Sequence, residues 1–508
     1  MIVLLAIKVC LARNDMRNMS IPGRLRRVSS VGSRHVVHEI ALSRPRHCIV
    51  GTFISASVVL AGCSGNVYER PSLDIPARWA HANTVGAHSM TDIAPWWTRF
   101  GDAQLARLIA AALSRNNDLA TAALNVRKAQ LRVGLVGDPL QFGPEAGVNV
   151  RRDFQLDSGG EARNDNGMLR GSVSYTVDLW GRLARQQSIG QWALQASEAD
   201  RETVRLNVIG TTADLYWRLA YLNQRLVSEE QSLATALRTQ QLVNAQNLAG
   251  IVSALERREA EQTVLTQKSS LSQLRQTQVE TRNALAIVLN AAPGGNVLEE
   301  VLGQEPAVLP AGALPVVESG LPADLLGRRP DMRAAELRLR QSLANVDVVR
   351  TSYYPTLSLT GAMGSSSASL GSLLANPVAI LGAGLNLPFL NLKAMRVDTS
   401  VAQVEYESAV IGFRQVLYQA FADVENALSA RVRLAEQADF RARNLTAARE
   451  AERIYEIRYR AGAVALRMWL DAQESHRTAE LLWTQTRLTQ LQNFVTLYQA
   501  VGGDMSVR

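Results

Sequence analysis

The sequence of 508 residues predicts a mainly α-helical protein with a membrane β-barrel, built from one unit that occurs twice. Two stretches, 184–248 and 394–460, contain no proline and little glycine, and their apolar residues recur at helical spacing. At 1.5 Å per residue each stretch forms a helix on the order of 100 Å long, which no single globular core accommodates. Helices of this length pack along one another, so we predict a long coiled-coil segment in each protomer.

The unit recurs at an offset of about 210 residues, because 105–291 resembles 320–501. Gly250 and Gly462 are one pair of matching positions. Each unit reads helix, strand, strand, long helix, turn, helix. We therefore divide the chain into a first repeat (105–305), a linker (306–319), a second repeat (320–503) and a tail (504–508).

The predicted strands show a period of two. Val173, Tyr175 and Val177 alternate with Ser174 and Thr176, so apolar and polar residues face opposite ways. A half-buried hairpin of a water-soluble protein shows the same alternation, but strands of roughly ten residues also suit a membrane barrel. The long helices and the lipid anchor described next favour the membrane. Predicted strands are about 145–153, 171–180, 355–364 and 379–390, and the helices that follow them are about 184–248, 253–291, 394–460 and 465–500.

Residues 1–62 are predicted to be a leader that the mature protein lacks. They hold nine of the 54 Lys and Arg residues and two of the 46 acidic residues, so they carry most of the formal charge of +8. An uncharged run ends in Leu60-Ala61-Gly62-Cys63, which is typical of a lipoprotein signal peptide. We expect lipid attachment at Cys63 and a lipid-anchored segment over 63–104. Residues 1–42 do not resemble a signal peptide, which is explained if the start codon was assigned too far upstream.

The remainder of the chain is close to neutral, which gives no support for a nucleic-acid partner. Cys10 and Cys48 fall in the leader, so the mature chain keeps Cys63 alone and no thiolate metal site is expected. No phosphate-binding loop with a Gly-x-x-x-x-Gly-Lys-Ser/Thr pattern occurs. The sequence therefore predicts neither a cofactor nor an enzyme.

Two strands per repeat make four per chain, and a membrane sheet must close because lipid leaves unpaired backbone groups unsatisfied. Four strands cannot close a barrel. The chain is therefore expected to oligomerise, giving eight strands as a dimer or twelve as a trimer. The polar face of such a barrel lines water, which predicts a pore.

Several motifs carry a family resemblance that spans about 63–503. Trp96-Trp97-x-x-Phe100-Gly101-Asp102, Arg328-Arg329-Pro330-Asp331 and Arg458-Tyr459-x-x-Gly462 are similar to those of TolC-like outer-membrane factors, in the lipoprotein branch that serves resistance-nodulation-division pumps. The resemblance implies a trimeric twelve-stranded barrel on a helical tunnel. It also implies an outer-membrane location, with a periplasmic adaptor protein and an inner-membrane pump as partners.

The resemblance places a periplasmic gate at the helical turns that contain Gly250 and Gly462. Relatives carry acidic residues after the second glycine, whereas this chain has Val464, Ala465 and Leu466. We hypothesise that Val464 and Leu466 narrow the passage, while Arg467 or Asp471 pairs with Tyr459 or a neighbouring subunit. The alternative is that Leu466 and Leu470 are coiled-coil core and Arg467 is solvated.

The sequence supports a passive exit duct for an efflux pump. A duct for type I protein secretion has the same architecture and stays open as an alternative. So does a lipid-anchored periplasmic scaffold without a pore. The transported substrate cannot be predicted, because specificity in such systems resides largely in the pump.

Overall fold

The computed structural model describes residues 66–72, 74–81, 95–135, 138–154, 161–315, 322–367 and 377–503. The chain separates into two units, Met1–Ser64 and Gly65–Arg508, and the described residues all belong to the second. The predicted leader, Cys63 and the tail 504–508 lie outside the described residues.

The first repeat begins after a short 3₁₀ turn at Trp96–Phe100 and has two strands between helices. The Asp102 carboxylate caps the first helix by accepting from the backbone N–H groups of Gln104 and Leu105. The elements are α1 (Ala103–Arg115), α2 (Asn117–Val133), β1 (Leu140–Phe154), β2 (Glu161–Val177), α3 (Arg182–Leu248), α4 (Ala254–Val288) and α5 (Val297–Leu302).

The second repeat has the same alternation of helices and strands. Pro330 occupies the first turn of its first long helix, where a missing N–H costs nothing. The elements are α6 (Leu325–Arg328), α7 (Pro330–Ser352), β3 (Thr356–Ser367), β4 (Pro377–Asn386), α8 (Leu392–Arg460) and α9 (Leu466–Ala500).

Several strand ends differ from the sequence-based expectation, and β1 begins at Leu140 and not near 145. β2 begins at Glu161 and not near 171, because 161–166 is polar and hides the alternation that marks a strand. β4 ends at Asn386 and not near 390, because Pro388 begins a 3₁₀ turn and cannot donate to a sheet ladder.

The four strands form one antiparallel sheet in the order β1-β2-β3-β4. Tyr175 on β2 lies opposite Leu140 on β1 and Leu359 on β3. The contact between β2 and β3 therefore joins the two repeats within one sheet. Within the protomer, β1 and β4 are the two edge strands.

The helices nearest the sheet follow the order of the strands. α2 packs on α3, α3 on α7, and α7 on α8. Farther along the two long helices, α4 packs back on α3 and α9 packs back on α8, and α9 also contacts α3. Each long helix thus has different neighbours in its two halves.

Two apolar clusters hold the helices together between the sheet and the middle of the long helices. In the first, Trp96 contacts Trp217, Phe494 and Tyr498 at ring-centroid distances of 5.3 to 6.0 Å. The second cluster joins α6, α7, α8 and α9 through Phe413, Leu417 and neighbouring apolar residues. Trp217 and Leu417 are fully buried, so both clusters are true cores.

Among the helices in the described ranges, none is long and apolar enough to cross a membrane.

Candidate functional site

The two helical turns that were predicted as tips have the same backbone geometry. Gly250 after α3 has φ = 72° and Gly462 after α8 has φ = 71°, the left-handed region that glycine adopts without strain. After α3, the Ile251 N–H donates to the Gln246 carbonyl at 2.9 Å. After α8, the Ala463 N–H donates to the Arg458 carbonyl at the same distance. Both helices therefore end in a Schellman motif.

The helices that leave the two turns differ in their caps. Ser253 and Glu256 form a capping box at the start of α4, which satisfies two exposed N–H groups. The Ser253 hydroxyl bonds the Glu256 carboxylate and lowers the pKa of that carboxyl. Ala465 precedes α9 and has no side chain that caps the helix. The first turn is consequently closed by its own side chains, and the second is not.

A small apolar cluster, the tip cluster, joins the two turns inside one protomer. Leu466 is 2 % exposed and packs with Tyr459 and Trp469, whose rings stack at 5.2 Å. Val464 is half-buried against the same cluster. The cluster consists of Val243, Ala260, Tyr459, Leu466 and Trp469.

The tip cluster bears on the gate hypothesis. Leu466 is used as core between helices, which corresponds to the alternative weighed from the sequence and leaves it little surface toward a passage. The Tyr459 hydroxyl donates to Gln246 Oε1 at 2.7 Å. The pairing of Arg467 or Asp471 with Tyr459 or with a neighbouring subunit stays a prediction. Burial, followed by the nearby Glu256 charge, raises the pKa of Tyr459.

Arg467 and Asp471 lie on the surface beside the tip cluster. Arg467 is 73 % exposed, and it lies 3.8 Å from the Asp471 carboxylate and 3.7 Å from that of Glu259 on α4. Pairs at this distance and exposure contribute about 0–1 kcal/mol. The two charged side chains are therefore free to exchange partners.

Between the tip cluster and the apolar cores, α3 and α9 meet through a polar seam. Ser228 donates to Glu480 at 3.2 Å, and Glu229 is fully buried 3.5 Å from both Arg477 and Arg225. Hydrogen bonding to Glu474, partly offset by burial, raises the pKa of Arg477. Contacts of this kind hold helices in register but add little cohesion.

The two faces of the sheet differ in polarity. Val173 and Tyr175 on β2 and Leu359 on β3 project from one face, and each is at least 40 % exposed. Ser174 and Thr360 project from the opposite face, with their hydroxyls 3.4 Å apart. One face therefore suits lipid and the other suits water.

Exposed apolar stripes accompany the two edge strands. Leu124 and Leu131 lie one heptad apart on α2, which leads into β1. A longer stripe runs along α8, which follows β4, at helical spacing. The α8 stripe comprises Val397, Val401, Val404, Ile411 and Tyr418, all exposed.

The segment 66–81 is held to the second repeat by contacts that sequence reasoning missed. Asn66 donates to both oxygens of the Asp347 carboxylate at 2.8 and 3.0 Å. Farther along, Arg70 bonds Glu336 on α7, and Trp79 packs edge-on against Phe421 of α8. These partners lie more than 260 positions apart in the chain, so a local sequence pattern cannot predict the contacts between them.

A sheet with one apolar and one polar face and two open edges, carried on long helices, is the architecture of a membrane channel subunit. The chain belongs to the outer membrane efflux protein family, whose model matches 108–291 and 321–503. This match confirms the family resemblance. The protein is therefore an outer-membrane efflux protein, and the members of its family are channel proteins.

Individual relatives agree. The pyoverdine export outer membrane protein OpmQ of Pseudomonas putida is 32 % identical, over 91 % of this chain and 98 % of that protein. The toluene efflux pump outer membrane protein TtgC of Pseudomonas putida is 28 % identical, over 88 % and 93 %. The structure of the MtrE outer membrane channel of Neisseria gonorrhoeae has a TM-score of 0.70 at 28 % identity, over 87 % and 98 %. The Campylobacter jejuni CmeC channel has the same fold, with a TM-score of 0.75 at 21 % identity, over 88 % and 96 %.

Proposed function

We propose that the chain is one subunit of a homotrimer that forms the passive exit duct of a tripartite efflux system. Its partners in this proposal are a periplasmic adaptor and an inner-membrane resistance-nodulation-division pump. The observation that carries the proposal is the four-stranded sheet with two open edges, β1 and β4. In lipid each unpaired backbone group costs several kcal/mol, so these edges need partners.

Copies of the chain are suitable partners for these edges. Neighbouring strands alternate in direction, so β4 of one copy meets β1 of the next as another antiparallel pair. Two copies would give eight strands, whose interior is filled by side chains. Three copies give twelve strands and a wider lumen, which the proposed duct requires.

The helices support the same arrangement. Because α2 precedes β1 and α8 follows β4, pairing of the two edges places α2 of one copy beside α8 of the next. The apolar stripes of these two helices, represented by Leu131 and Val401, then cover each other. Burial of such stripes supplies a driving force that the sheet edges alone lack.

The lipid anchor also fits this placement. Cys63 precedes Asn66 by three residues, a chain length of about 11 Å at most. Asn66 is fixed to Asp347 near the end of α7, which leads into β3. A diacylglycerol on Cys63 is thereby within reach of the membrane surface that the sheet enters.

For the gate, we propose that the helical turns at Gly250 and Gly462 form the aperture. Arg467 and Asp471 supply its exposed charged groups, while Val464 and Leu466 brace the turns from inside. The first turn also exposes apolar side chains, Leu248 at 90 % and Ile251 at 72 %. Exposed apolar groups at a helical tip suit docking of the adaptor protein.

The cargo stays open in this proposal. Two relatives of comparable similarity are named for export of pyoverdine and of toluene. A further relative, of Aggregatibacter actinomycetemcomitans, is named toxin and drug export protein A and is 26 % identical. Because this name includes a toxin, a duct for type I protein secretion is kept as a second candidate function. Deleting this chain and scoring drug susceptibility and secreted protein separately distinguishes the two.

The trimer is tested with Val401→Asp, which places a charge in the α8 stripe. We expect purified wild type to run as a heat-modifiable trimer and to conduct in planar bilayers, and the variant to be monomeric. Gln403→Asp is the matched control, because Gln403 is exposed on another face of α8. A wild-type protein that is monomeric and water-soluble after removal of its acyl chains would overturn the proposal.

A further inference from the structure

Basic side chains gather on two helices close to the points where these helices meet the sheet. Arg132 precedes the first residue of β1 by eight positions, and Lys393 follows the last residue of β4 by seven. We call this group the basic collar. It consists of five exposed residues: Arg127, Lys128 and Arg132 on α2, and Lys393 and Arg396 on α8.

The basic collar has few acidic neighbours. Residues 119–133 of α2 contain no Asp or Glu, and Asp398 is the single acidic residue within 392–404 of α8. The Asp398 carboxylate already accepts a hydrogen bond from the Tyr353 hydroxyl. None of the residues that the structure describes forms an ion pair with a collar side chain. Farther along α8, by contrast, arginines such as Arg433 pair with an acidic residue about one turn away.

The two parts of the collar are separate in one protomer and adjacent in the proposed ring. Within the protomer α2 packs on α3 and α8 packs on α7, so α2 and α8 stand at opposite ends of the row of helices. In the ring, α2 of one copy lies beside α8 of the next. Five positive charges and one negative charge then meet at the subunit boundary. Because like charges repel, an anion from outside the chain would stabilise this boundary.

Apolar and aromatic side chains lie on the sheet side of the collar. Leu135 after α2 and Leu390 before α8 are 80 % and 76 % exposed. Trp180 lies between β2 and α3, and its ring is edge-on to that of Tyr354 at a centroid distance of 5.4 Å. Trp and Tyr concentrate where a membrane meets water. The collar is therefore at the level of the lipid headgroups when the sheet is in the membrane.

We propose that the basic collar binds the headgroup of an anionic phospholipid at each subunit boundary. Lysine and arginine side chains of two neighbouring copies hold the phosphate, and the acyl chains extend past the exposed leucines toward the apolar face of the sheet. Basic pockets between membrane segments suit such headgroups. This inference rests on the proposed duct function, because the collar is complete only where two copies pair.

The test adds lipid to the purified mature protein after exchange into an uncharged detergent. Phosphatidylglycerol should raise the melting temperature of the trimer by several degrees, and native mass spectrometry should show one retained lipid per boundary. Phosphatidylcholine should do neither, and high salt should reduce the gain because it screens exposed charges. Glycerol phosphate is added in a separate arm. An equal gain from this soluble anion would overturn the lipid as the occupant.

The triple variant Lys128→Gln, Arg132→Gln, Arg396→Gln removes charges from both parts of the collar. We expect its affinity for phosphatidylglycerol to fall at least about tenfold, since each basic residue near an anionic headgroup contributes to attraction. In detergent alone the variant should melt no lower than wild type, because repulsion at the boundary is reduced as well. A merely structural role of these residues would not produce this combination.

The triple variant Arg257→Gln, Lys268→Gln, Arg449→Gln is the matched control. It removes two arginines and one lysine from exposed positions farther from the sheet. Its response to phosphatidylglycerol should equal that of wild type, and a control that loses affinity as the collar variant does would overturn the collar. If the collar variant fails to assemble, Lys128→Gln and Arg396→Gln are measured singly, and wild-type affinity in both overturns it.

The lipid site and the duct fail in different ways. A wild-type trimer that conducts in planar bilayers but does not respond to phosphatidylglycerol overturns the lipid site alone. A wild-type protein that is monomeric overturns the proposed duct, and the lipid site with it.

Discussion

The sheet-proximal half and the turn-proximal half of the molecule share the long helices α3 and α8 but hold them together in different ways. On the side toward the sheet and up to the middle of the long helices, Trp217 and Leu417 are fully buried in clusters built from several helices. Near the turns, apolar packing is centred on the tip cluster, and Ser228 and the buried Glu229 make polar contacts across the seam. Separating an apolar core exposes apolar surface to water, which is unfavourable, whereas separated polar side chains can form hydrogen bonds with the water that enters. The contacts on the sheet side therefore keep the helices together, whereas the contacts near the turns allow the helices to separate.

The largest effect is expected in the aromatic cluster at the middle of α3. Trp217→Ala empties the centre of the aromatic cluster and should cost about 3–5 kcal/mol, because a large cavity remains. Thermal melting of the purified trimer is the measurement. Trp483→Ala is the control, since Trp483 is 39 % exposed and should cost far less. Equal losses in the two variants would remove the distinction between the halves.

The next effect is local to the turns. Leu466→Ala should cost about 2–4 kcal/mol within the tip cluster, with little effect on the global melting temperature. Hydrogen exchange should show lost protection around 455–470 and unchanged protection in α1 and the sheet-proximal part of α3. Met468→Ala, two positions along on the surface, serves as control. A uniform loss of protection would mean that the two halves unfold as one.

A smaller effect concerns one charge in α3. Burial raises the pKa of Asp214 to about 6, above its value in an unfolded chain. The stability that its protonated form contributes is therefore full below about pH 4 and is lost as the pH rises through 6. Asp214→Asn should stabilise the protein by about 1–2 kcal/mol at pH 7.5 and by little at pH 4, after allowance for partial exposure.

Melting temperatures of Asp214→Asn and wild type at the two pH values provide the check. Asp439→Asn is a suitable control, because Asp439 is exposed and pairs with Arg443 on the same surface of α8. The same gain at both pH values would show that folding does not shift the pKa of Asp214, and the assignment of a raised pKa would be wrong.

The smallest effect on stability, about 0.5 kcal/mol or less, is expected from Arg467→Ala and Asp471→Ala. Their effect should appear in function, as a higher closed-state current through the proposed aperture. Single-channel recording of the two variants tests this. Unchanged closed-state current in both would exclude these charges from the gate and leave the tip cluster as the closing element.

The fold was largely accessible from the sequence because its strongest signals are local. Gly250 and Gly462 each follow a long helix. The left-handed backbone conformation that ends such a helix is adopted most easily by glycine, and this preference does not depend on tertiary contacts. The alternation of Val173 and Tyr175 with Ser174 needs no knowledge of the partner strand. The mainly helical class with four strands and a repeated unit is confirmed by the structure and its relatives.

The remaining features depend on contacts between distant parts of the chain. Asn66 and Asp347 are 281 positions apart, and the partners Arg487 and Pro310 are 177 apart. For Leu466 the sequence left two interpretations open, a side chain that narrows the passage or one in the coiled-coil core. Its true direction follows from how α9 is rotated against α3 and α8, which periodicity alone does not set. The roles proposed for Cys63 and for the gate stay predictions.

The pairing of β2 with β3 joins the halves of a duplicated chain in the same antiparallel manner that would join one chain to the next. In the proposed ring, six hairpins of two alternating kinds stand around the axis, although only three chains are present. Evolution could then change every second hairpin and leave the others alone. A ring of three chains thereby has six repeat units around its axis. One set of three helical turns can brace the axial opening while the other set moves.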